Sequence, residues 1–319
     1  MQVHRALPTG RILESCALTV GTFDGVHRGH QSLIARLKSE ADQRGLPCAA
    51  LTFVDMPYCL FKPEDCPQLL TLAEEKIEAF AHTPLDHLFI IPFTHAIANQ
   101  SARGFMDFWV NAIGLKLFVG GPDFALGKGR EGDIAALRLL GNELGFETLA
   151  LDAKLLEGDK PISSTRSRLV IEAGQVERSP QFLGRNYRLA GRVVEGDRIG
   201  RTIGVPTINI QPNSRKCLPQ NGVYAVRATF EGETASRPAV MNIGMRPTVG
   251  GLKKQIEFHV LNANIETPPE NLELEFVKRL RDEQRFDGLD ALVAQIKADM
   301  VAGREILAAD RLRDELSAD

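Results

Sequence analysis

Two histidines lie three residues apart in a glycine-rich stretch that follows a short apolar run. The stretch GTFDGVHRGH covers residues 21–30 and holds His27 and His30, with Asp24 close by. Glycines let backbone N–H groups approach an anion, and the N-terminus of the helix predicted to follow adds partial positive charge. Imidazoles at such a turn can hydrogen-bond phosphate oxygens and stabilise the charge that develops during displacement at phosphorus. The stretch therefore predicts a turn that binds phosphate groups.

Two other interpretations of the histidine pair stay open. The HxxH spacing alone is also compatible with a surface turn that carries two incidental histidines. A zinc site has weaker support, because no third cysteine, histidine or carboxylate stands at a supporting spacing.

Hydroxyl groups mark two later stretches. ISSTRSR, residues 162–168, places serine and threonine hydroxyls and two arginines at a predicted helix start, where a plain helix cap is the alternative. In GDRIGRTIGVPTIN, residues 196–209, Thr207 and Asn209 alternate along a predicted strand and so share a face. Oxygen ligands suit Mg²⁺, and the glycines let the loop close over phosphates. A purely structural turn into the strand is the alternative here.

Composition limits the class of protein. The 319 residues carry 38 basic and 41 acidic side chains, a net charge of −3, so no overall electrostatic footprint for nucleic acid is present. The five scattered cysteines lack CxxC spacing, which argues against a disulfide framework and predicts reduced, mostly buried thiols. We expect no membrane segment, because no apolar run of about 18 residues occurs, and the cytoplasm is the expected compartment.

The first part of the chain alternates short apolar runs with helical spacing. This alternation predicts a parallel sheet that is covered on both faces. Ligands of such sheets bind at the carboxyl ends of strands, which is where residues 21–30 stand. Thr71 and Glu74 form a candidate capping box that opens one of the helices. The predicted strands are 18–20, 48–53, 88–92, 115–120 and 147–151.

From about Tyr187 the candidate strands follow one another with turns between them. This pattern predicts an antiparallel barrel or sandwich. Two helical patterns, Leu289–Met300 and Arg304–Leu316, close the chain, and the domain boundary is expected near residues 178–186. The predicted strands are 187–195, 205–210, 223–231, 239–244, 256–261 and 272–280.

Taken together, the motifs resemble those of the bacterial bifunctional riboflavin kinase/FAD synthetase family. His27-Arg28-Gly29-His30 is similar to the HxGH signature of nucleotidyltransferases, and GPDFALGKGREGD (121–133) and ISSTRSR resemble segments of the flavin-adenylylating branch. GDRIGRTIGVPTIN resembles the riboflavin kinase signature. The resemblance continues in the same order through GVYAV (222–226), NIGMRPT (242–248) and LRDEQRF (280–286), so that it covers nearly the whole chain.

The resemblance implies an α/β fold with two domains. An N-terminal Rossmann-like nucleotidyltransferase domain with a parallel sheet, residues 1–182, would precede a C-terminal antiparallel β-barrel with terminal helices, residues 183–319. The barrel would phosphorylate riboflavin to FMN with ATP, and the first domain would adenylylate FMN to FAD and release pyrophosphate. The expected cofactor is Mg²⁺, and neither nucleic acid nor a membrane is an expected partner.

The resemblance also implies roles for individual residues. His27 and His30 would hold the ATP phosphates, Thr207 and Asn209 would bind the metal, and Glu283 would be the base that accepts the flavin hydroxyl proton. Without the resemblance, Glu283 is typical of a solvated helix face. The expected flavin-binding residues are Asn242, Arg246 and Arg281. The expected ATP-binding residues are Gly21, Phe23, Asp24, Gly29, Asp123, Ser163, Ser164, Thr165, Arg168, Gly196, Gly200, Arg201 and Gly204.

Three stretches depart from the family pattern. Val54-Asp55-Met56-Pro57 stands where Glu-Pro-His-Pro is usual, Ile208 replaces an alanine, and residues 262–274 lack the usual Leu-Tyr-Gly turn. A divergent paralogue that acts on a modified flavin, or that retains one of the two activities, is therefore an alternative. A single-activity nucleotidyltransferase is less compatible with the sequence, because it would lack the second-half signature.

Overall fold

The computed structural model describes residues 1–151, 153–196, 204–248, 251–263 and 265–318. The chain divides into two compact units, Met1–Arg166 and Ser167–Asp319. Gly200 and Arg201, both expected to bind ATP, lie outside the described residues, and of Arg246 only the backbone is described.

The first unit is built on a six-stranded parallel sheet with the strand order β1-β4-β3-β2-β5-β8. The predicted parallel sheet is confirmed, and a short edge strand precedes the predicted ones. The sheet strands are β1 (Gln2–His4), β2 (Cys16–Val20), β3 (Cys48–Phe53), β4 (His87–Ile91), β5 (Leu115–Gly120) and β8 (Glu147–Ala150). Two small antiparallel pairs are β6 (Ala125–Leu126) with β7 (Gly132–Asp133), and β9 (Leu156–Glu157) with β10 (Lys160–Pro161).

Helices cover both faces of this sheet, and alternate residues of β2 enter different cores. Leu18 packs in a cluster with Trp109, whereas Ala17 packs in a cluster with Leu37. This alternation is the two-sided burial that a parallel sheet requires. The helices are α1 (Arg28–Gln43), α2 (Pro57–Phe61), α3 (Ala73–Ala81), α4 (His95–Ala98), α5 (Ala102–Ile113) and α6 (Ile134–Leu144). They are followed by α7 (Ser164–Glu172) and α8 (Ser179–Leu183).

The predicted capping box of α3 is wrong. The helix begins at Ala73, and the Glu75 carboxylate accepts the N–H of Leu72 at 2.9 Å. Glu74 instead pairs with Arg5, and the Thr71 hydroxyl accepts a backbone N–H from the turn after β2. The Thr71 hydroxyl, which the local sequence pattern predicts as the helix cap, therefore forms a tertiary hydrogen bond instead.

The second unit contains a closed antiparallel barrel with the strand order β11-β12-β15-β14-β13-β16. This confirms the prediction of a barrel. Leu189, Met241 and Phe258 are among the side chains that fill its buried interior. The strands are β11 (Tyr187–Val194), β12 (Ile208–Pro212), β13 (Gly222–Phe230), β14 (Arg237–Thr248), β15 (Gly251–Val260) and β16 (Asn271–Arg281).

One terminal helix, α9 (Leu289–Ala318), replaces the two helices predicted at the end of the chain. The sequence pattern breaks around Gly303, but a glycine is needed there for packing. A Cβ atom at this position would lie 2.6 Å from Val240 Cγ2. The gap in the apolar pattern therefore marks a close approach of α9 to β14, and the helix continues through it.

The prediction of five reduced thiols is wrong for two cysteines. Cys59 and Cys66 form a disulfide, because the chain turns back after α2 and brings their Cα atoms within 4.8 Å. The free thiols Cys16, Cys48 and Cys217 are buried, as expected. Among the described residues, no helix is both long and apolar enough to span a bilayer.

Candidate active sites

The turn between β2 and α1, which we call the histidine turn (residues 21–30), has an unusual backbone. Phe23, Gly25 and Val26 have φ angles of 49°, 80° and 41°. Left-handed φ values suit glycine and are disfavoured for phenylalanine and valine. Such a conformation persists when surrounding contacts hold it in place, and it is typical of ligand-binding sites.

Asp24 provides those contacts. Its side chain is 1% exposed, and Oδ1 accepts the backbone N–H groups of Leu70 at 2.9 Å and Thr71 at 3.2 Å. The Thr71 hydroxyl in turn accepts the N–H of Gly25 at 3.0 Å. The Ser164 hydroxyl donates to the backbone oxygen of Asp24 at 2.8 Å, so the ISSTRSR segment reaches the same turn. Three distant segments of the chain therefore meet at Asp24.

His27 and His30 stack on each other, with ring centroids 3.5 Å apart and planes inclined by 16°. His27 is the N-cap of α1, and its Nδ1 accepts the backbone N–H of His30 at 3.2 Å. Since Nδ1 is the acceptor, a neutral His27 carries its proton on Nε2 and can donate from there. A Cβ at Gly29 would lie 3.1 Å from the His27 ring, so the ring leaves little room for a side chain at this position.

Both imidazoles are neutral at physiological pH. Burial lowers the pKa of His27 to about 4. Burial, and then the nearby His27 and Lys76, lowers the pKa of His30 well below its usual value. Nδ1 of His30 is shielded from solvent and has no hydrogen-bond partner among the described residues. The pair is therefore suited to hydrogen bonding and is not a pair of cations.

The start of α7 lies beside the histidine turn. Ser163 Oγ accepts the N–H of Arg166 at 3.3 Å, and the Arg166 guanidinium donates to the backbone oxygens of Lys160 and Pro161 at 2.6 and 2.8 Å. Thr165 follows in the first turn of the helix, and Arg168 is 8% exposed one turn further on. Hydroxyls and backbone N–H groups at a helix N-terminus are favourable partners for anions.

Asp123 is placed differently from the other expected ATP-binding residues of this unit. It lies in the exposed loop after β5, where its carboxylate pairs with Lys154. Its backbone oxygen accepts a hydrogen bond from Arg130 at 3.1 Å. In the structure Asp123 therefore orders its own glycine- and basic-rich loop.

In the barrel, three polar residues are cross-strand neighbours. Glu257 on β15 pairs with Asn209 on β12 and with Asn242 on β14. We call Asn209, Glu257 and Asn242 the polar row. The flanking residues Ile256 and Phe258 are buried in the barrel, so Glu257 faces outward.

The expected metal ligands lie at one end of the polar row. Thr207 Oγ1 donates to Glu257 Oε2 at 3.2 Å, and Gln255 Nε2 donates to Asn209 Oδ1 at 2.7 Å. A Cβ at Gly196 would clash with the Asn209 amide, which shows how closely the glycine-rich loop approaches this side chain. Hydroxyl, amide and carboxylate oxygens are the donor set that Mg²⁺ prefers, so these side chains fit the implied metal.

Two cavities open on either side of Asn209. One, of about 310 Å³, is lined by Gly196, Thr207 and Glu266 among others. The other, of about 320 Å³, is lined by Ser214, Lys254 and Gln255 among others. Volumes of this size are at the low end of those that hold small-molecule ligands.

Family models match both units of the chain. FAD synthetase matches residues 10–166, and riboflavin kinase matches residues 183–307. The bifunctional riboflavin kinase/FMN adenylyltransferase of Escherichia coli (strain K12) is 39% identical over 92% of this chain and 93% of the relative. The protein of the same description from Pseudomonas fluorescens is 36% identical over 96% of each chain.

The chain belongs to the bifunctional riboflavin kinase/FMN adenylyltransferase family. This confirms the resemblance derived from the motifs. A further relative, from Bacillus subtilis, is 34% identical over 93% of this chain and 95% of the relative. A solved structure described as a macrolide-efflux protein from Streptococcus pneumoniae matches with a TM-score of 0.86 and 26% identity, over 95% of this chain and 99% of that chain. That likeness agrees with the fold described above.

Glu283, the base that the family resemblance implies, does not belong to the polar row. Its carboxylate accepts a hydrogen bond from Asn221 Nδ2 at 3.1 Å and from the N–H of Met245 at 3.3 Å. A Cβ at Gly244 would lie 2.5 Å from Glu283 Oε1, so glycine makes room for the carboxylate. Glu283 thus lies against Gly244 and Met245 of β14, two and three residues beyond Asn242.

Arg281 is held by a partner of its own. Its Nε and terminal nitrogen donate to the Asp299 carboxylate at 3.0 and 2.8 Å, and Asp299 on α9 is 6% exposed. A two-point contact of this kind fixes an arginine firmly. In the structure it attaches α9 to the end of β16, a role that local sequence does not reveal.

Sequence reasoning missed Glu257, Gln255 and Lys76. The signal for the first two was present, because QIEFHV (255–260) alternates polar and apolar residues and places its glutamine and glutamate on the same face of a strand. For Lys76 no local signal exists. It stands in a helix with ordinary amphipathic spacing, and only the fold buries it.

Proposed function

We propose that the chain carries out both reactions of its family. ATP phosphorylates riboflavin to FMN on the barrel, and a second ATP adenylylates FMN to FAD with release of pyrophosphate at the parallel sheet. The observation that carries this proposal is that each unit matches one of the two family models and holds its own cluster of polar side chains. The descriptions of the relatives name both activities, which favours a bifunctional protein over a paralogue with one activity.

For adenylyl transfer, a phosphate oxygen of FMN attacks the α-phosphorus of ATP, and the bond to the bridging oxygen of pyrophosphate breaks. We assign the α- and β-phosphates to His27 and His30, whose neutral rings donate hydrogen bonds to phosphate oxygens. Gly21, Phe23, Asp24 and Gly29 shape the turn around them, and the residues assigned to the polyphosphate are Ser163, Ser164, Thr165 and Arg168. No protein nucleophile is required, since positioning and electrostatic stabilisation account for catalysis of this kind.

For phosphoryl transfer, we assign Thr207 and Asn209 as the residues that hold Mg²⁺, next to Gly196 and Gly204 of the glycine-rich loop. The ion would neutralise charge on the ATP phosphates when bound. Asn242 at the far end of the polar row, and Arg246 on the same strand, are assigned to the flavin side.

The base of the kinase reaction has two candidates. The motif indicates Glu283, whereas the geometry favours Glu257, because its carboxylate lies 3.2 Å from the hydroxyl of the proposed metal ligand Thr207. A base must reach the hydroxyl proton that is lost as the γ-phosphoryl group is transferred. Glu257 is therefore the better placed of the two.

The test is direct. Purified protein is incubated with riboflavin, ATP and Mg²⁺, and riboflavin, FMN and FAD are separated over time. FMN that appears first and FAD that follows would support the proposal, and FMN supplied directly should become FAD without riboflavin. Accumulation of FMN alone, or no flavin product at all, would contradict it. The same assay in excess EDTA tests the metal, and the cytoplasmic location stays a prediction for cell fractionation.

A further inference from the structure

Lys76 is a fully buried lysine on α3. Its side chain is 0% exposed, and Nζ donates to the backbone oxygens of Phe53 at 2.7 Å and Thr22 at 3.0 Å. A buried ammonium is costly unless its environment compensates it. The hydrogen bonds that compensate this buried ammonium therefore indicate a specific structural or functional role for Lys76.

The two acceptors place this ammonium at the edge of the sheet where the proposed chemistry occurs. Phe53 ends β3, and Thr22 follows β2 as the second residue of the histidine turn. The Thr52 hydroxyl also donates to the Thr22 oxygen, at 2.9 Å. Lys76 thus ties the carboxyl ends of two neighbouring strands, at the point where the backbone enters its left-handed segment.

The charges around Lys76 belong to the same site. Burial lowers the pKa of Lys76 to about 8, and the carboxylates of Asp24 and Asp55 oppose that shift. The lysine charge in turn lowers the pKa of His30. Lys76 is therefore mostly protonated at neutral pH, and it lies close enough to His30 to influence the charge of that ring.

We propose that Lys76 is a positioning residue of the adenylyl-transfer site, which holds the histidine turn through Thr22 and Phe53 and supplies a fixed positive charge beside His30. The proposal rests on the function proposed above for this unit. A fixed cation in a site of low dielectric attracts the polyphosphate more strongly than a cation in water. The same cation disfavours protonation of the His30 imidazole, so this ring remains a neutral hydrogen-bond donor.

The first experiment compares wild type, Lys76→Met and Lys116→Met. Methionine removes the charge at similar length, and Lys116 is an exposed lysine on β5 that serves as the matched control. Lys76→Met should lower kcat/KM for FMN adenylylation by roughly 10²-fold, while riboflavin phosphorylation in the same sample and the Lys116→Met variant remain at wild-type rates. A folded Lys76→Met protein with wild-type adenylylation would overturn the proposal.

The second experiment is a pH profile, which a purely structural role would not change. The carboxylates of Asp24 and Asp55 favour the charged form of Lys76, and the lysine charge in turn acts on His30. Wild-type adenylylation should fall as pH rises through about 8, because the ammonium loses its proton there. Asp55→Asn removes a carboxylate that favours the charged lysine, so the fall should move to lower pH. Lys76→Arg should abolish the fall, because a guanidinium stays protonated.

These variants keep the proposal testable if Lys76→Met does not fold. An alkaline fall that stays in place in both Asp55→Asn and Lys76→Arg would overturn it. Failure of the proposed function itself gives a different result, since wild type would then form no FAD from supplied FMN at any pH.

Discussion

The hydroxyl of Thr207 donates a hydrogen bond to the Glu257 carboxylate at 3.2 Å, and Glu257 is the cross-strand neighbour of Asn209. The residue assigned as the base from the motif, Glu283, instead receives hydrogen bonds from Asn221 and Met245. Adjacent strands of the barrel therefore bring together oxygen atoms that lie about fifty residues apart in the chain. Because Glu257 and Glu283 have different hydrogen-bond partners, replacing each in turn tests which carboxylate is the base.

Glu257→Gln should lower riboflavin phosphorylation by roughly 10²–10⁴-fold, because the amide keeps the shape but cannot take the proton. Glu283→Gln is the matched variant and should lower it far less. The measurement is FMN formation from riboflavin, with FAD formation from supplied FMN as the control for folding. A larger loss of FMN formation in Glu283→Gln than in Glu257→Gln would indicate that Glu283 is the base.

His30→Ala should lower FAD formation from FMN by roughly 10²–10³-fold, as expected when one donor that stabilises phosphate charge is removed. Riboflavin phosphorylation should continue, since its polar row lies in the other unit. His82→Ala, at an exposed position after α3, is the control. Near wild-type FAD synthesis by folded His30→Ala would refute the assigned role.

The depressed pKa of His27 should make the first unit sensitive to acid. The unfolded chain takes up a proton at this residue near pH 6.5, and the folded chain does so only near pH 4. Stability is therefore fully present above pH 6.5 and is lost as pH falls towards 4, by about 3 kcal/mol.

The variant for this test is His27→Asn, because asparagine can also cap α1 but does not titrate. Fluorescence of Trp109, the sole tryptophan and a buried one, reports unfolding of this unit. The unfolding free energy of wild type should decrease relative to that of His27→Asn over this pH interval. Parallel curves for the two proteins would show that His27 titrates normally.

The Cys59–Cys66 disulfide should leave three free thiols in the denatured, unreduced protein and five after reduction. Closing so short a loop should stabilise the first unit by about 2–3 kcal/mol in the chain-entropy account. Thiol titration checks the count, and thermal unfolding of Cys59→Ser with and without reductant checks the stability. Five reactive thiols before reduction would disprove the pairing.

A fragment of residues 167–319 should be more stable than one of residues 183–319, although the latter covers the kinase domain expected from the sequence. The segment before residue 183 packs on the barrel. Ser179 Oγ accepts the N–H of Tyr187 at 3.0 Å, and a Cβ at Gly174 would lie 3.0 Å from the Tyr224 hydroxyl. Denaturant unfolding and riboflavin phosphorylation should both favour the longer fragment, and equal stability would place the domain boundary at 182/183.

Much of this arrangement follows from local sequence. The alternation of apolar runs with helical spacing determines the parallel sheet, and the dense run of strands and turns determines the barrel. Gly25 marks the turn before His27 and His30, because it has a φ angle of 80° that glycine adopts readily. The pattern at Thr207 and Asn209 places both side chains on one face of a strand. These features need only the residues that are adjacent along the chain.

Tertiary structure decided the rest. Glu257 joins Thr207 and Asn209 through strand pairing, Lys76 reaches the histidine turn only when α3 packs on the sheet, and Arg281 meets Asp299 only when α9 docks. The Thr71 hydroxyl does not cap α3 as predicted, because the fold places it where it accepts the N–H of Gly25. Local patterns report periodicity and turn chemistry, whereas charge, burial and hydrogen-bond partners depend on segments far apart in sequence. The sequence by itself therefore determined the two folds and their signature motifs, and packing determined which side chains complete each site.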